Sequence, residues 1–196
     1  MRSLTQALNR QFGHPHGPLE HLVGAVMAIE NAKTNALVVG LLSLEESDCV
    51  LEIGCGPGVA LARAAATAQY AAGVDPSSAM TRLARARLRR PIGRGTVQVE
   101  QAPVERLPFN PSTFTVAFAV NSVQHWESID DGLTELRRVL KPDGRLLLAL
   151  RAENPTGRRP DPHARGATRH QLDELVKQPR PSRLPLDPAR PPPAET

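Results

Sequence analysis

The chain has 196 residues, 40% hydrophobic and 3% aromatic, with a formal net charge of +4. That length bounds it to one domain with a tail, and that apolar content excludes a wholly disordered chain. The excess charge is terminal: residues 151–196 carry nine Lys/Arg and six Asp/Glu, so the body is close to neutral and lacks the basic face of a nucleic-acid binder.

With so few aromatics, the core must rest on Leu, Val, Ile and Ala, which suits a parallel sheet flanked by helices. The chain begins with a polar stretch, Met1 to Phe12, without the apolar core of a signal peptide. Leu19, Leu22, Val23, Val26 and Ile29 then recur at helical spacing and predict a helix from Pro18 to Ile29. A second helix is expected from Ala32 to about Leu42. Residues 1–47 therefore read as an N-terminal helical segment ahead of the domain that begins at residue 48.

From Cys49 the pattern changes to alternating strands and helices. Strands are predicted at Cys49–Ile53, Tyr70–Val74, Thr96–Glu100, Thr115–Val120 and Arg145–Leu150. The intervening helices are Val59–Ala68, Ser77–Arg89 with Ser77 as N-cap, and Asp130–Leu140, followed by a turn at Lys141–Gly144. This alternation implies right-handed crossovers and a parallel sheet over residues 48–150. After Arg151 the character shifts again. Ten of the 19 prolines lie in 151–196, one short helix fits His170–Gln178, and no fixed structure is expected from Pro179 on.

The two cysteines, Cys49 and Cys55, flank one strand and have neither a disulfide framework nor a CxxC metal spacing, as expected in a reducing cytosol. No apolar run approaches the ~18 residues of a membrane span. Arg82, Arg85, Arg87, Arg89 and Arg90 cluster on one predicted helix. They read as a solvated face whose basic end lies near the negative helix C-terminus, rather than as a phosphate patch.

The sharpest feature is Leu51-Glu-Ile-Gly-Cys-Gly-Pro-Gly58, set between a strand and a helix. Glycines at 54, 56 and 58 let the backbone turn sharply and approach a ligand closely. Glu52 adds an acceptor at the strand tip that suits an ammonium group. Asp75 closes the second strand, 17 residues beyond Gly58, where an acid in this kind of fold hydrogen-bonds ribose hydroxyls. A dinucleotide fingerprint requires Gly or Ala at position 59, and Val59 stands there.

The E-x-G-x-G-x-G pattern resembles the first motif of the class I S-adenosylmethionine-dependent methyltransferases. Gly73-Val-Asp-Pro-Ser-Ser-Ala-Met80, Val104-Glu-Arg-Leu-Pro-Phe109, the stretch Phe114–Trp126 and Glu135-Leu-Arg-Arg-Val-Leu-Lys-Pro-Asp-Gly144 resemble its later motifs in order and spacing. The small-molecule branch, with quinone and sterol methyltransferases, is the nearest type. The resemblance implies a Rossmann-like, doubly wound, mainly parallel sheet and S-adenosylmethionine as cofactor. It places Gly54, Cys55, Gly56 and Gly58 in the cofactor loop, Glu52 and the carbonyl of Asn121 at the ammonium, and Asp75 at the ribose. Pro76 and Met80 would flank the adenine, and Val104 would give it a backbone contact. The resemblance also implies that residues 1–47 act as a lid over the domain.

Two departures stand out. Where the family has an Asp that accepts from the adenine amino group, this chain has Pro103, a loss of about 1 kcal/mol. Where the family sheet ends in an antiparallel hairpin, the chain beyond Leu150 offers a short helix and a proline-rich tail, through truncation or divergence. An edge left bare there would invite pairing, a homodimer being one form.

His125, after the fourth strand, is the candidate general base for an oxygen acceptor, against the plainer role of packing at its loop. His14, His16 and His21 lack a carboxylate or Cys partner and read as surface groups, so no metal is expected. The expected function is methyl transfer to a small-molecule acceptor in the cytoplasm. The alternatives are a cofactor-binding or interaction protein on a degenerate methyltransferase fold, and, opposed by Val59, a nicotinamide oxidoreductase.

Overall fold

In a computed structural model of the chain, residues 32–150 are described. The predicted helices at 18–29 and 170–178, the N-terminal histidines, the tail and the place of a terminal hairpin all lie outside the described residues.

The helix α1 (Ala32–Leu41) is followed by β1 (Cys49–Ile53), α2 (Val59–Ala64), β2 (Tyr70–Asp75), α3 (Ser78–Arg87), α4 (Arg89–Gly93) and β3 (Val97–Gln101). Then come β4 (Phe114–Val120), a single 3₁₀ turn at Val123–His125, α5 (Ile129–Val139) and β5 (Leu140–Ala149). The five strands run in the order β3-β2-β1-β4-β5, every pair parallel. Successive strands thus step outward from β1 on one side to β3, and from β4 on the other to β5. The reversal falls between β1 and β4, and a ligand crevice forms at such a switch point, beyond the carboxyl ends of the strands.

The period-2 alternation of strand side chains divides the core. Leu51, Ile53, Ala117 and Ala119 point to the face covered by α5, where they meet Leu136 and Val139. Val50, Val116 and Phe118 point to the other face and meet Val38 and Leu42 at α1 and Ala60 and Ala64 of α2. Covered on both sides, β1 and β4 are apolar nearly throughout. Glu52 shares the Val50 face and is 3% exposed. A buried carboxylate in an otherwise apolar strand is the anomaly of the sheet.

The elements depart from sequence expectation in three places. α2 ends at Ala64 rather than running to Ala68, because the amides of Ala66 and Thr67 reach back only three residues, to Arg63 and Ala64, and tighten the chain into a turn. The third helix breaks at Leu88 and restarts as α4, which places Pro91 in a first turn, where its missing N–H is tolerated. β5 begins at Leu140, yet its register against β4 jumps from Phe114↔Leu140 to Val116↔Arg145, so the predicted turn at Lys141–Gly144 is extruded as a bulge. Among the described residues no helix is long and apolar enough to cross a membrane.

Candidate functional site

A cleft of about 210 Å³ opens at the carboxyl ends of β1, β2 and β4. Its floor is the glycine loop. Gly54 and Cys55 donate their amides to the Val74 carbonyl at 2.8 and 2.9 Å, which hangs the loop from β2. Gly54, Gly56 and Gly58 all have positive φ, at 70°, 50° and 75°, a region that disfavours any side chain. At Gly54 a Cβ would also lie 2.4 Å from the Ser122 Cβ. Ser122 is fixed there by donating its hydroxyl to the Ile53 carbonyl at 2.9 Å.

Asp75 stands at the opposite wall. Its Oδ2 accepts the Gly56 amide and its Oδ1 the Ser77 amide, both at 2.9 Å. One carboxylate therefore ties the glycine loop to the start of α3, where Ser77 also caps the helix by accepting from the Met80 amide.

Glu52 lies under the loop. Burial pushes its carboxyl well above the ordinary range; the amide of Leu61 in the first turn of α2 opposes that, and the nearby Asp75 adds to it. Its Oε2 is buried with no hydrogen-bond partner among the described residues. Cys55 is buried beside it, and burial, with Glu52 and Asp75 next, raises its thiol pKa well above the usual value. A floor with one orphaned carboxylate oxygen is built to receive a cationic donor, since a buried acceptor left unmet costs about 1–3 kcal/mol.

The cleft wall takes in Glu52, Gly54, Cys55, Gly56, Asp75, Pro76, Met80, Pro103, Val104, Asn121 and His125. Gly58 lies outside it. A Cβ there would come within 3.1 Å of the Ala84 Cβ and 3.2 Å of Leu88, so this glycine serves the approach of α2 to α3. Asn121 adopts φ 51° and its carbonyl accepts from Gln124 Nε2 at 2.8 Å. His125 is exposed, on the 3₁₀ turn at the rim.

The basic run is largely engaged in the structure. Arg85 donates twice to the Val99 carbonyl and pairs with Glu100, and Arg87 donates to the Pro57 carbonyl.

Sequence reasoning missed several wall residues. Asn35 of α1 is 8% exposed and reaches the rim; a polar residue facing the buried side of an apolar helix was its signal. Glu105 accepts the amides of Glu127 and Ser128 through Oε1 at 2.8 and 3.1 Å, which joins the loop after β3 to the start of α5. Trp126 packs over Gly132, where a Cβ would meet its ring at 2.8 Å. Neither contact has a local signature.

Known proteins share this fold. The methyltransferase domain model matches residues 51–148, half of the chain. The chain belongs to this family. Its parallel sheet is that of the class I S-adenosylmethionine-dependent methyltransferases. The uncharacterized methyltransferase YdaC of Bacillus subtilis (strain 168) is 29% identical over 131 residues, 66% of this chain and 70% of YdaC. The ubiquinone/menaquinone biosynthesis C-methyltransferase UbiE of Geobacter sulfurreducens is 38% identical over 109 residues, 53% of this chain and 41% of that enzyme. Among solved structures, the YcgJ protein of Bacillus subtilis aligns with a TM-score of 0.55 at 27% identity, covering 60% of this chain and 50% of YcgJ. A SAM-dependent methyltransferase from Aquifex aeolicus shares the fold with a TM-score of 0.60 at 20% identity, covering 72% and 76% of the two chains. The methyltransferase match thus spans less than half the length of UbiE and half of YcgJ.

Proposed function

We propose that this methyltransferase binds S-adenosylmethionine in the switch-point cleft and transfers its methyl group to a small-molecule acceptor. The observation that carries the reading is the buried Oε2 of Glu52 in the cleft floor, which has no hydrogen-bond partner among the described residues. An ammonium donor satisfies it, and the amino-acid end of the cofactor brings one.

The residues present fit the group. Glu52 would hold the ammonium, with the Asn121 carbonyl beside it. Gly54, Cys55 and Gly56 would lie under the methionine part. Asp75, oriented by two amides, would take the ribose hydroxyls. Pro76 and Met80 would flank the adenine, with Val104 at its edge. When bound, S-adenosylmethionine supplies a methyl group already activated on a sulfonium. What remains for the chain is to position the acceptor, exclude water and, for an oxygen acceptor, take a proton. His125 at the rim would take that proton. The likeness to UbiE, whose name gives C-methyl transfer in ubiquinone/menaquinone biosynthesis, supports an acceptor of the small, ring-bearing type.

Isothermal titration with S-adenosylmethionine and S-adenosylhomocysteine tests the reading. Wild type should bind both, and Asp75→Ala should weaken binding roughly tenfold or more, since a charged acceptor is worth about 1.5–3 kcal/mol. Methyl-labelled cofactor with a panel of phenols, quinols and sterols then tests transfer. Binding without transfer to any acceptor would favour a cofactor-binding protein on a methyltransferase fold. No binding to either compound would remove the reading.

A further inference from the structure

The far end of the cleft, between the tips of β2 and β3, differs in kind from its floor. Its wall includes Pro76, Met80, Ala102, Pro103 and Val104, beside Ser77 and Glu105. Of the first five side chains only the Met80 thioether can accept a hydrogen bond, and weakly. Met80, Ala102 and Val104 are buried and present apolar surface, while the two prolines form the exposed lips.

Several polar groups around this slot are already engaged, while the Val104 amide and the Glu127 carboxylate have no hydrogen-bond partner among the described residues. The Pro76 carbonyl accepts from Gln101 Nε2 at 3.1 Å. The Pro103 carbonyl accepts the Arg106 amide at 3.2 Å, and the Asp75 carbonyl accepts the Ala102 amide at 3.3 Å. The Asp75 carboxylate is held by Gly56 and Ser77. Glu105 is turned to the amides of Glu127 and Ser128. A planar ring seated here would stack on apolar side chains, and Pro103 offers no carboxylate to read an amino group on its edge.

On the cofactor reading above, we propose that the base of the cofactor is recognised by stacking and by the Val104 backbone, with no side chain reading its 6-position, and that Pro103 makes the site tolerant of the 6-substituent of the purine. A pocket that hydrogen-bonds a ligand group rejects the analogue lacking it strongly, whereas an apolar pocket separates such analogues weakly. The ligand class therefore widens to purine 6-amino, 6-oxo and N6-methylamino forms of the same thioether or sulfonium nucleoside. Position 103 is then a specificity-determining residue.

The test is isothermal titration of wild type and Pro103→Asp with S-adenosylhomocysteine, S-inosylhomocysteine and N6-methyl-S-adenosylhomocysteine. Wild type should bind the three within about threefold of one another. Pro103→Asp, which adds a carboxylate at an exposed turn, should prefer the 6-amino over the 6-oxo form by about tenfold or more. Preference by wild type for the 6-amino form of tenfold or more would overturn the inference and point to Glu105 or Glu127 as the reader, leaving the cofactor reading intact. Failure of wild type to bind any of the three would remove both.

Discussion

Glu52 on β1 lies against the first turn of α2, where the Leu61 amide offsets part of the rise that burial gives its carboxyl, while its Oε2 has no hydrogen-bond partner among the described residues. Gly58, the N-cap of α2, has no side chain to cap with, so β1 supplies the acceptor that the helix start lacks. The same carboxylate thus helps fix the helix after the glycine loop and keeps a second oxygen for a ligand.

Glu52 makes both stability and binding depend on pH. Its folded carboxyl titrates above the ordinary range, because burial outweighs the Leu61 amide. The folded state therefore holds this proton more tightly than the unfolded chain does, and the stability it contributes is full below the ordinary carboxylate range and falls as pH rises through the raised value. Asp48 acts in the opposite sense. Burial raises its pKa, but the Glu45 amide, the Thr115 hydroxyl and Arg145 together bring it below normal, so its contribution is lost as pH falls. Thermal midpoints across pH for wild type and Glu52→Gln isolate the first effect: the variant should lose less stability toward neutral pH. Titration in buffers of different ionisation enthalpy should show wild type releasing a proton on binding S-adenosylmethionine, with Asp75 and Cys55 the titratable neighbours. Glu52→Gln should release none and bind more weakly.

Gly54→Ala should be severe. The added Cβ falls 2.4 Å from the Ser122 Cβ at a backbone φ of 70°, and overpacking together with a left-handed residue costs about 2–4 kcal/mol. Gly40→Ala is the matched control. Nothing lies within 4 Å of its Cβ in α1, so the denaturant midpoint should rise slightly there and fall steeply for Gly54→Ala.

Arg138 should matter more than its place on a solvent-facing motif suggests. It pairs with Glu135 and donates to the carbonyls of Phe109 at 2.6 Å and Leu107 at 2.9 Å, while Glu135 accepts the Leu107 amide at 2.8 Å. Removing Arg138 leaves several mostly buried groups unmet, at about 2–4 kcal/mol. Arg138→Ala should therefore lower the urea midpoint clearly. Arg138→Lys should recover little, because a point charge cannot fork to two carbonyls.

The sheet and its strand tips were legible in the sequence because both depend on local signals: apolar runs of strand length, a glycine loop, and an acid at the end of β2. The E-x-x-R and E-x-L-P-F segments were also visible as motifs, but not as partners. Glu135 and Arg138 meet Leu107–Phe109 only across the α5 face, and no periodicity encodes such a meeting. Gly58 shows the converse. It shares the spacing of the ligand-facing glycines, yet faces Ala84, because loop direction after Gly56 is set by the helix packing. The β5 bulge and the early end of α2 were hidden for the same reason, since tertiary register decided them.

His125→Ala separates binding from chemistry. Its exposed ring at the rim contributes nothing to the buried floor, so S-adenosylhomocysteine affinity should hold. With an oxygen acceptor that the wild type turns over, kcat should drop by about 10² or more and the alkaline arm of the pH profile should persist while the arm set by the histidine disappears. An unchanged kcat would assign His125 to loop packing alone.

The most direct measurement is amide chemical-shift mapping of the 15N-labelled protein on addition of S-adenosylhomocysteine. The largest changes should fall on Gly54, Gly56, Asp75, Ser77 and Val104, with the Arg85–Gly93 surface unmoved. Saturating ligand that leaves the glycine-loop amides unshifted, or shifts centred away from the tips of β1 and β2, would contradict a cofactor site at the switch point.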